Sequence, residues 1–195
     1  MTTPAPALHA SGLACRRGDR VLFAGLSLAL EAGEALQLAG ANGIGKSSLM
    51  RILAGMALPY AGSVERRGTV GLVDERPALD PAAPLGRSLD FWASIDGPLP
   101  EGALTLLGIA RLTDVPVRYL STGQKKRAAL ARLLGQRAAI WLLDEPLNGL
   151  DTAACALVER LVGEHCAGGG IAVIASHQPF ALPALTRLDM AEFAR

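Results

Sequence analysis

The sequence predicts an α/β domain with a mixed sheet flanked by helices, because three short apolar runs are each typical of a buried strand. The runs are residues 35–39, 139–143 and 171–175. They end at a glycine-rich segment, at Asp144 and Glu145, and at Ser176 and His177, respectively. Because α/β sheets bind ligands outside the carboxyl ends of their strands, we expect these three endings to form one site.

Length and composition limit the possible classes of protein. The chain of 195 residues is 50% hydrophobic with a formal net charge of +1, which suits one domain over residues 1–195 and argues against a nucleic-acid partner. Cys15, Cys155 and Cys166 are odd in number and widely spaced, so we expect reduced thiols rather than a zinc site or a disulfide framework. The N-terminus lacks a secretory signal pattern, and no apolar run approaches the roughly 20 residues of a membrane span.

Residues outside the three buried runs predict further strands. Residues 8–30 are interpreted as two strands around a turn at 17–20, forming an N-terminal antiparallel β subdomain. Residues 63–73 are interpreted as a hairpin that returns to the sheet. Residues 183–195 predict a short terminal strand and helix.

The glycine-rich segment after the first run is typical of a phosphate-binding loop. Its pattern is Gly-x-x-x-x-Gly-Lys-Ser and it leads into a helix, so backbone N–H groups and the helix dipole would converge on a polyphosphate. Lys46 would reach the β and γ phosphates, and the Ser47 hydroxyl would bind Mg²⁺. A glycine-rich turn that binds nothing is the alternative. The predicted nucleotide-binding residues of the loop are Gly40, Ala41, Asn42, Gly43, Ile44, Gly45, Lys46, Ser47 and Ser48.

Between about residues 75 and 135 the sequence predicts an inserted helical subdomain, because prolines separate short helical patterns there. Phe91 and Trp92 are interpreted as part of its core. Its longest helix opens at Ser121, which has the spacing of a capping box with the glutamine three residues later. The basic triplet 125–127 that follows is interpreted as a solvated face.

The other two strand endings supply candidate catalytic groups. Asp144 would position Mg²⁺ directly or through water, and Glu145 would polarise an attacking water molecule. An acidic turn without chemistry is the alternative. His177 leaves a buried strand beside the expected γ phosphate, which favours a functional over a structural role.

From about residue 8 to residue 183 the chain resembles the nucleotide-binding subunits of ATP-binding-cassette (ABC) transporters. The resemblance rests on the phosphate loop, on Asp144 and Glu145, and on Leu-Ser-Thr-Gly-Gln at 120–124, which is similar to the family's signature sequence. It implies a P-loop NTPase fold, ATP and Mg²⁺ as ligands, and a homodimer. It also implies that Asp151 lies in a D-loop at the dimer seam and that His177 senses the γ phosphate. The signature residues that would face ATP held by the opposite subunit are Ser121, Thr122, Gly123 and Gln124.

Three positions depart from the pattern of the ABC family. Thr122 replaces a glycine near the partner's nucleotide. Glu75 stands where the family usually has glutamine, which leaves open whether it serves as a metal ligand and sensor. Arg17 aligns with the aromatic residue that usually stacks on adenine, and its planar guanidinium can stack there instead.

Within the ABC family, residues 17–23, 42–49 and 53–55 resemble the haem-exporter ATPases of bacterial cytochrome c maturation. This resemblance implies haem export or release of a haem-carrying chaperone. It also implies integral membrane partners bound through the helical subdomain, and a peripheral location on the cytoplasmic face of the bacterial inner membrane. No direct haem ligation by this chain is expected. An ABC ATPase for another cargo and a soluble ABC-type ATP switch are the alternatives.

Overall fold

A computed structural model of the chain describes residues 4–195, which form an antiparallel three-stranded sheet, a parallel five-stranded sheet and flanking helices. This arrangement is the α/β class that the sequence predicts. The strands are β1 (Ala7–Arg17), β2 (Arg20–Glu31), β3 (Ala35–Ala39), β4 (Ala61–Arg67), β5 (Val70–Val73), β6 (Ile140–Asp144), β7 (Ile171–Ala175) and β8 (Thr186–Asp189). The α-helices are α1 (Lys46–Leu53), α2 (Leu85–Asp96), α3 (Ala103–Leu106), α4 (Thr122–Gln136) and α5 (Thr152–Ala167).

The parallel sheet has the strand order β5-β6-β7-β3-β8, and its strands are buried on both faces at the centre. Side chains alternate between the faces of a strand, so β6 sends Trp141 and Leu143 into a core shared with α4 and α5. Ile140 and Leu142 enter a second core, shared with α1 and the antiparallel sheet. Two covered faces explain why the runs are apolar at every position except Gln37, whose buried amide donates to the Gln178 carbonyl at 2.8 Å. The carboxyl ends of β3, β6 and β7 therefore lie along one edge.

The antiparallel sheet has the order β2-β1-β4 and confirms the predicted N-terminal β subdomain. The predicted hairpin over residues 63–73 is wrong. β4 pairs with β1 in the antiparallel sheet, whereas β5 pairs in parallel with β6. The chain changes sheets between them, where Thr69 already bonds to the start of β6: its carbonyl accepts from Ile140 N–H at 3.0 Å and its hydroxyl from Ala139 N–H at 3.2 Å.

Helices α2 to α4 and their connections form the helical region around buried leucines such as Leu89 and Leu130. The interpretation of Phe91 as core is wrong, because its side chain is 58% exposed. Trp92 packs partly against the core, with the Arg132 guanidinium 3.4 Å from its ring centroid. Neighbouring positions on a helix point about 100° apart, so one aromatic ring turns outward when the other turns in.

Within residues 4–195, no helix combines the length and apolar character that crossing a membrane requires.

Candidate active site

The phosphate loop connects β3 to α1 and packs on the antiparallel sheet. Gly45 caps the helix at a φ of 116°, a left-handed conformation that L side chains rarely adopt. A Cβ there would also lie 2.9 Å from Phe23 Cδ1. The first intrahelical bond runs from Leu49 N–H to the Gly45 carbonyl at 2.9 Å, so the preceding N–H groups remain available to an anion at the helix N-terminus.

The ammonium group of Lys46 is hydrogen-bonded to the backbone of this loop. Its Nζ donates to the carbonyls of Gly40 at 2.7 Å and Ala41 at 3.2 Å, and the residue is 6% exposed. An ammonium group has three donors, so one donor remains for a further acceptor. The geometry therefore places a fixed positive charge beside the free amides of α1.

These groups open onto a cavity of about 490 Å³ at the carboxyl edge of the parallel sheet. It brings together the three strand endings and two of the three residues at positions that depart from the family pattern, Arg17 and Glu75. Gly40 and Ala41 line a neighbouring cavity with His177, and Ile44 packs against the second core. The residues lining the main cavity are Arg17, Leu22, Asn42, Gly43, Gly45, Lys46, Ser47, Ser48, Glu75, Asp144, Glu145, Asn148 and His177.

Asp144 is the acid best placed to hold a cation. It is 3% exposed, and its burial is the main cause that raises the pKa of its carboxyl, while the nearby Ser47 hydroxyl lowers it. Its Oδ1 is buried without a hydrogen-bond partner among the described residues. An unpartnered carboxylate oxygen next to an exposed serine hydroxyl suits Mg²⁺, which prefers oxygen ligands and keeps several waters and phosphate oxygens.

Glu145 and His177 form a contact at the cavity wall. His177 Nδ1 lies 2.9 Å from Glu145 Oε2, and Glu145 is 8% exposed. The Glu145 backbone has a φ of 47°, and its N–H donates to the Ala175 carbonyl at 2.8 Å. This turn fixes the carboxylate between the ends of β6 and β7, where a water molecule beside a bound phosphate can be polarised.

The signature residues lie elsewhere, at the N-terminus of α4. The capping box is present: Ser121 Oγ accepts from Gln124 N–H at 3.2 Å, and Gln124 Oε1 accepts from Ser121 N–H at 2.9 Å. Thr122 lines a second cavity of about 370 Å³, together with Glu75 and Glu145. Among residues 4–195, those lining the main cavity include none of the four signature residues. A single copy of the chain therefore does not bring its signature to its own phosphate loop.

Gly123 packs against the loop that precedes α5. A Cβ at this position would collide with the Gly149 carbonyl oxygen, which is backbone and cannot rotate away. We therefore expect Gly123→Ala to destabilise the chain by about 1–3 kcal/mol through overpacking and to reduce ATPase activity. Thermal unfolding and phosphate release measure these effects. Gly163→Ala on α5 is the matched control, because a Cβ there would meet only the end of the Leu182 side chain, at 3.2 Å. Equal unfolding midpoints for wild type and Gly123→Ala would contradict the predicted collision.

Asp151 anchors the same loop to both helices. Its Oδ1 accepts from Ala154 N–H at 2.8 Å and caps α5, and its Oδ2 lies 2.8 Å from Arg127 Nη2 on α4. The bond from Ala154 is the main cause that lowers the pKa of the Asp151 carboxyl, and the Arg127 charge adds to it. The proposed D-loop and signature helix are therefore linked within one chain.

The interpretation of residues 125–127 as a solvated face is wrong for Lys126, which is 7% exposed and donates to the Asp144 carbonyl at 3.2 Å. Helical spacing could have predicted the burial of Lys126, because this residue lies one helical turn before the buried residue Leu130. Asn148 also lines the main cavity, although the sequence placed it only in the segment that resembles the D-loop and not among the nucleotide-binding residues. Asn148 reaches the cavity because the chain turns back at Glu145, whose carbonyl accepts from Asn148 N–H at 3.3 Å.

The model of one protein family, described as ABC transporter, matches residues 23–148. The matched segment includes the phosphate loop, the helical region, the signature and the Asp144–Glu145 turn. The chain belongs to the ABC transporter family, as an ATPase subunit that couples ATP hydrolysis to transport.

Curated relatives define the group within the family. One from Novosphingobium aromaticivorans is 57% identical over 187 residues, covering 95% of this chain and 96% of the relative. One from Sphingopyxis alaskensis is 49% identical, covering 96% and 98%. Both are named cytochrome c biogenesis ATP-binding export protein CcmA, and within the ABC family the chain groups with the CcmA proteins.

Solved structures support the fold. CbiO1 from Clostridium perfringens, part of the ABC transporter complex CbiONQ, is 28% identical with a TM-score of 0.69, covering 90% of this chain and 80% of that one. An ABC transporter ATP-binding protein from Pyrococcus furiosus has a TM-score of 0.82 over 97% of this chain and 100% of that one. It is 21% identical, so the likeness concerns the fold alone.

Proposed function

We propose that the chain is the ATP-hydrolysing subunit of a membrane ABC complex that powers haem export, or release of a haem-carrying chaperone, in c-type cytochrome biogenesis. The observation that carries this proposal is the 57% identity to an ATP-binding export protein of cytochrome c biogenesis, over nearly the full length of both chains. The cavity at the sheet edge is lined by Lys46, Ser47, Asp144, Glu145 and His177, the residues of this chain that the proposed reaction uses.

In this proposal the phosphates of ATP lie on the phosphate loop and the N-terminus of α1. Lys46 donates to the β and γ phosphates, and the exposed Arg17 guanidinium at the cavity rim stacks on adenine. Ser47 and Asp144 hold Mg²⁺, with Glu75 as a further candidate ligand at the same cavity. Bound Mg²⁺ would neutralise negative charge on the β and γ phosphates during transfer.

Glu145 acts as the base in the proposed reaction. The oxygen of a water molecule attacks the γ phosphorus, the bond from that phosphorus to the bridging oxygen breaks, and the water proton passes to the Glu145 carboxylate. His177 orients that carboxylate through the 2.9 Å contact of its Nδ1. The remaining edge of His177 is positioned to meet the γ phosphate, because the side chain lines the same cavity.

A second copy of the chain completes each site. Ser121, Thr122 and Gly123 lie at the N-terminus of α4, outside the main cavity, where helix amides can meet an anion held by another subunit. Each copy therefore supplies the phosphate loop of one site and the signature of the other. Two ATP molecules would hold the dimer closed, and hydrolysis would release it.

The helical region supplies the surface for the integral membrane partner, through which the subunit is held peripherally at the cytoplasmic face of the inner membrane. A groove of about 540 Å³ runs beside α2, with exposed Phe91 and partly buried Trp92 on one wall. Exposed aromatic residues are enriched in protein interfaces. Ala78 and Leu79, which follow Glu75 by three and four residues, line this groove, so a docked partner could influence the nucleotide cavity.

Deletion of the gene tests the proposed function. We expect haem-stained c-type cytochromes to disappear while b-type cytochromes persist, and a plasmid copy of the wild-type gene to restore them. A copy carrying Glu145→Gln should not restore them, whereas the exposed-site control Glu65→Gln should. Unchanged c-type haem staining in the deletion strain would refute the role in cytochrome maturation.

Affinity capture from solubilised membranes then separates the alternatives: a different permease indicates another cargo, and the absence of membrane proteins indicates a soluble switch.

A further inference from the structure

A buried lysine that the proposed mechanism does not use lies behind the nucleotide cavity. Lys126 is 7% exposed, and its Nζ donates to the Asp144 carbonyl at 3.2 Å. The bond joins α4, whose N-terminus carries the signature, to the last residue of β6. Buried lysines are rare unless they are paired, so this position calls for a specific partner.

Four acidic residues lie around Lys126, and among the described residues none of them forms an ion pair with its ammonium group. Lys126 lines the second cavity with Asp74, Glu75 and Glu145, and its Nζ bonds to the backbone of Asp144. Burial lowers the pKa of Lys126, and the charges of all four acids oppose that effect.

The four acids differ in the side chains that pair with them. Asp74 has an ion pair with Arg51 at 3.3 Å, and Glu145 has its contact with His177. The described residues provide no ion pair to Glu75, and Asp144 keeps an unpartnered buried oxygen. Two buried lysines line cavities with Glu75. Lys46 lines the main cavity and bonds to carbonyls of the phosphate loop, and Lys126 lines the second cavity and bonds to the Asp144 carbonyl.

We propose that Lys126 is a positioning residue that fixes the end of β6 and offsets the negative charge of Glu75, so that the cavity can accept the polyphosphate of ATP. The inference rests on the proposed roles of Asp144 and Glu145 in ATP hydrolysis. ATP adds further negative charge beside Asp144 and Glu75, and in a poorly solvated site such like charges repel strongly. Without the lysine charge, Glu75 would oppose nucleotide binding. Removing the Glu75 charge should then compensate for loss of the lysine charge.

A double-mutant cycle tests this charge coupling. Lys126→Met keeps an unbranched side chain but removes the charge, Lys126→Arg keeps the charge, and Glu75→Gln removes the opposing charge in either background. Lys125→Met is the matched control, because Lys125 is the half-buried neighbour on the same helix turn. The readouts are the Kd for ATP with Mg²⁺, kcat, and the midpoint of thermal unfolding, all measured on the full chain.

We expect Lys126→Met to weaken ATP binding about tenfold and Lys126→Arg to stay within about threefold of wild type. Adding Glu75→Gln to Lys126→Met should recover most of the lost affinity. Wild-type affinity in Lys126→Met overturns the proposal, and so does an equal loss with Glu75 or Gln at position 75. If Lys126→Met does not fold, the proposal requires the double variant to fold, and a double variant that also fails to fold overturns it. A wild-type chain that binds no ATP would instead refute the proposed function itself.

Discussion

Glu145→Gln is expected to lower the rate of ATP hydrolysis by about 100- to 10,000-fold while ATP binding stays intact. Glutamine has the size of glutamate, and its amide oxygen can still accept from His177 Nδ1 at the 2.9 Å contact. It cannot take the proton of the attacking water at neutral pH. Because ATP binds but is not cleaved, the dimer that ATP closes should accumulate. Phosphate release, nucleotide titration and size-exclusion chromatography with ATP measure the three effects.

The control for this variant is Glu65→Gln on β4, which removes an exposed carboxylate far along the chain from the strand endings. It should hydrolyse ATP like wild type. Normal turnover by Glu145→Gln would remove Glu145 from the role of base. Abolished turnover without an ATP-dependent dimer would keep Glu145 as the base but argue against a site completed by a second copy.

Lys46→Ala should weaken ATP binding by about 10- to 100-fold, since a hydrogen bond to a charged group contributes about 1.5–3 kcal/mol. The side chain contributes in two ways. Its charge faces the expected β and γ phosphates, and its bonds to the Gly40 and Ala41 carbonyls hold the loop in shape. Isothermal titration with ATP and Mg²⁺ measures the loss, and hydrolysis should fall with it at any ATP concentration that leaves the site unfilled.

Lys125→Ala is the matched control for Lys46→Ala. Lys125 is half-buried and donates to the Arg118 carbonyl at 3.4 Å, away from the phosphate loop. Its replacement should leave the Kd for ATP unchanged. If Lys46→Ala binds ATP with wild-type affinity, the phosphates do not lie on this loop and the assignment of the cavity fails.

Local sequence signals predicted the elements whose structure depends on near neighbours. The apolar runs at β3, β6 and β7 predicted buried strands, because burial on both faces favours apolar side chains at nearly every position. The capping box predicted the start of α4, because its two hydrogen bonds join residues three apart. Sequence reasoning failed at residues 63–73, where the short link allows either a hairpin or a change of sheet and the choice depends on pairing with the distant β6.

The sequence by itself determined the class of protein, an ABC ATPase, because phosphate binding and water activation require particular residue types at fixed short spacings. The roles proposed for Lys46, Ser47 and Glu145 follow from those spacings. Only the tertiary structure decided which distant groups share a cavity. In the structure Lys126 bonds to the Asp144 carbonyl and Phe91 is exposed. The signature residues 121–124 lie outside the cavity that the phosphate loop of the same chain lines. The reason is that these placements depend on how helices and strands far apart in the chain pack together, and local spacing carries no record of that packing.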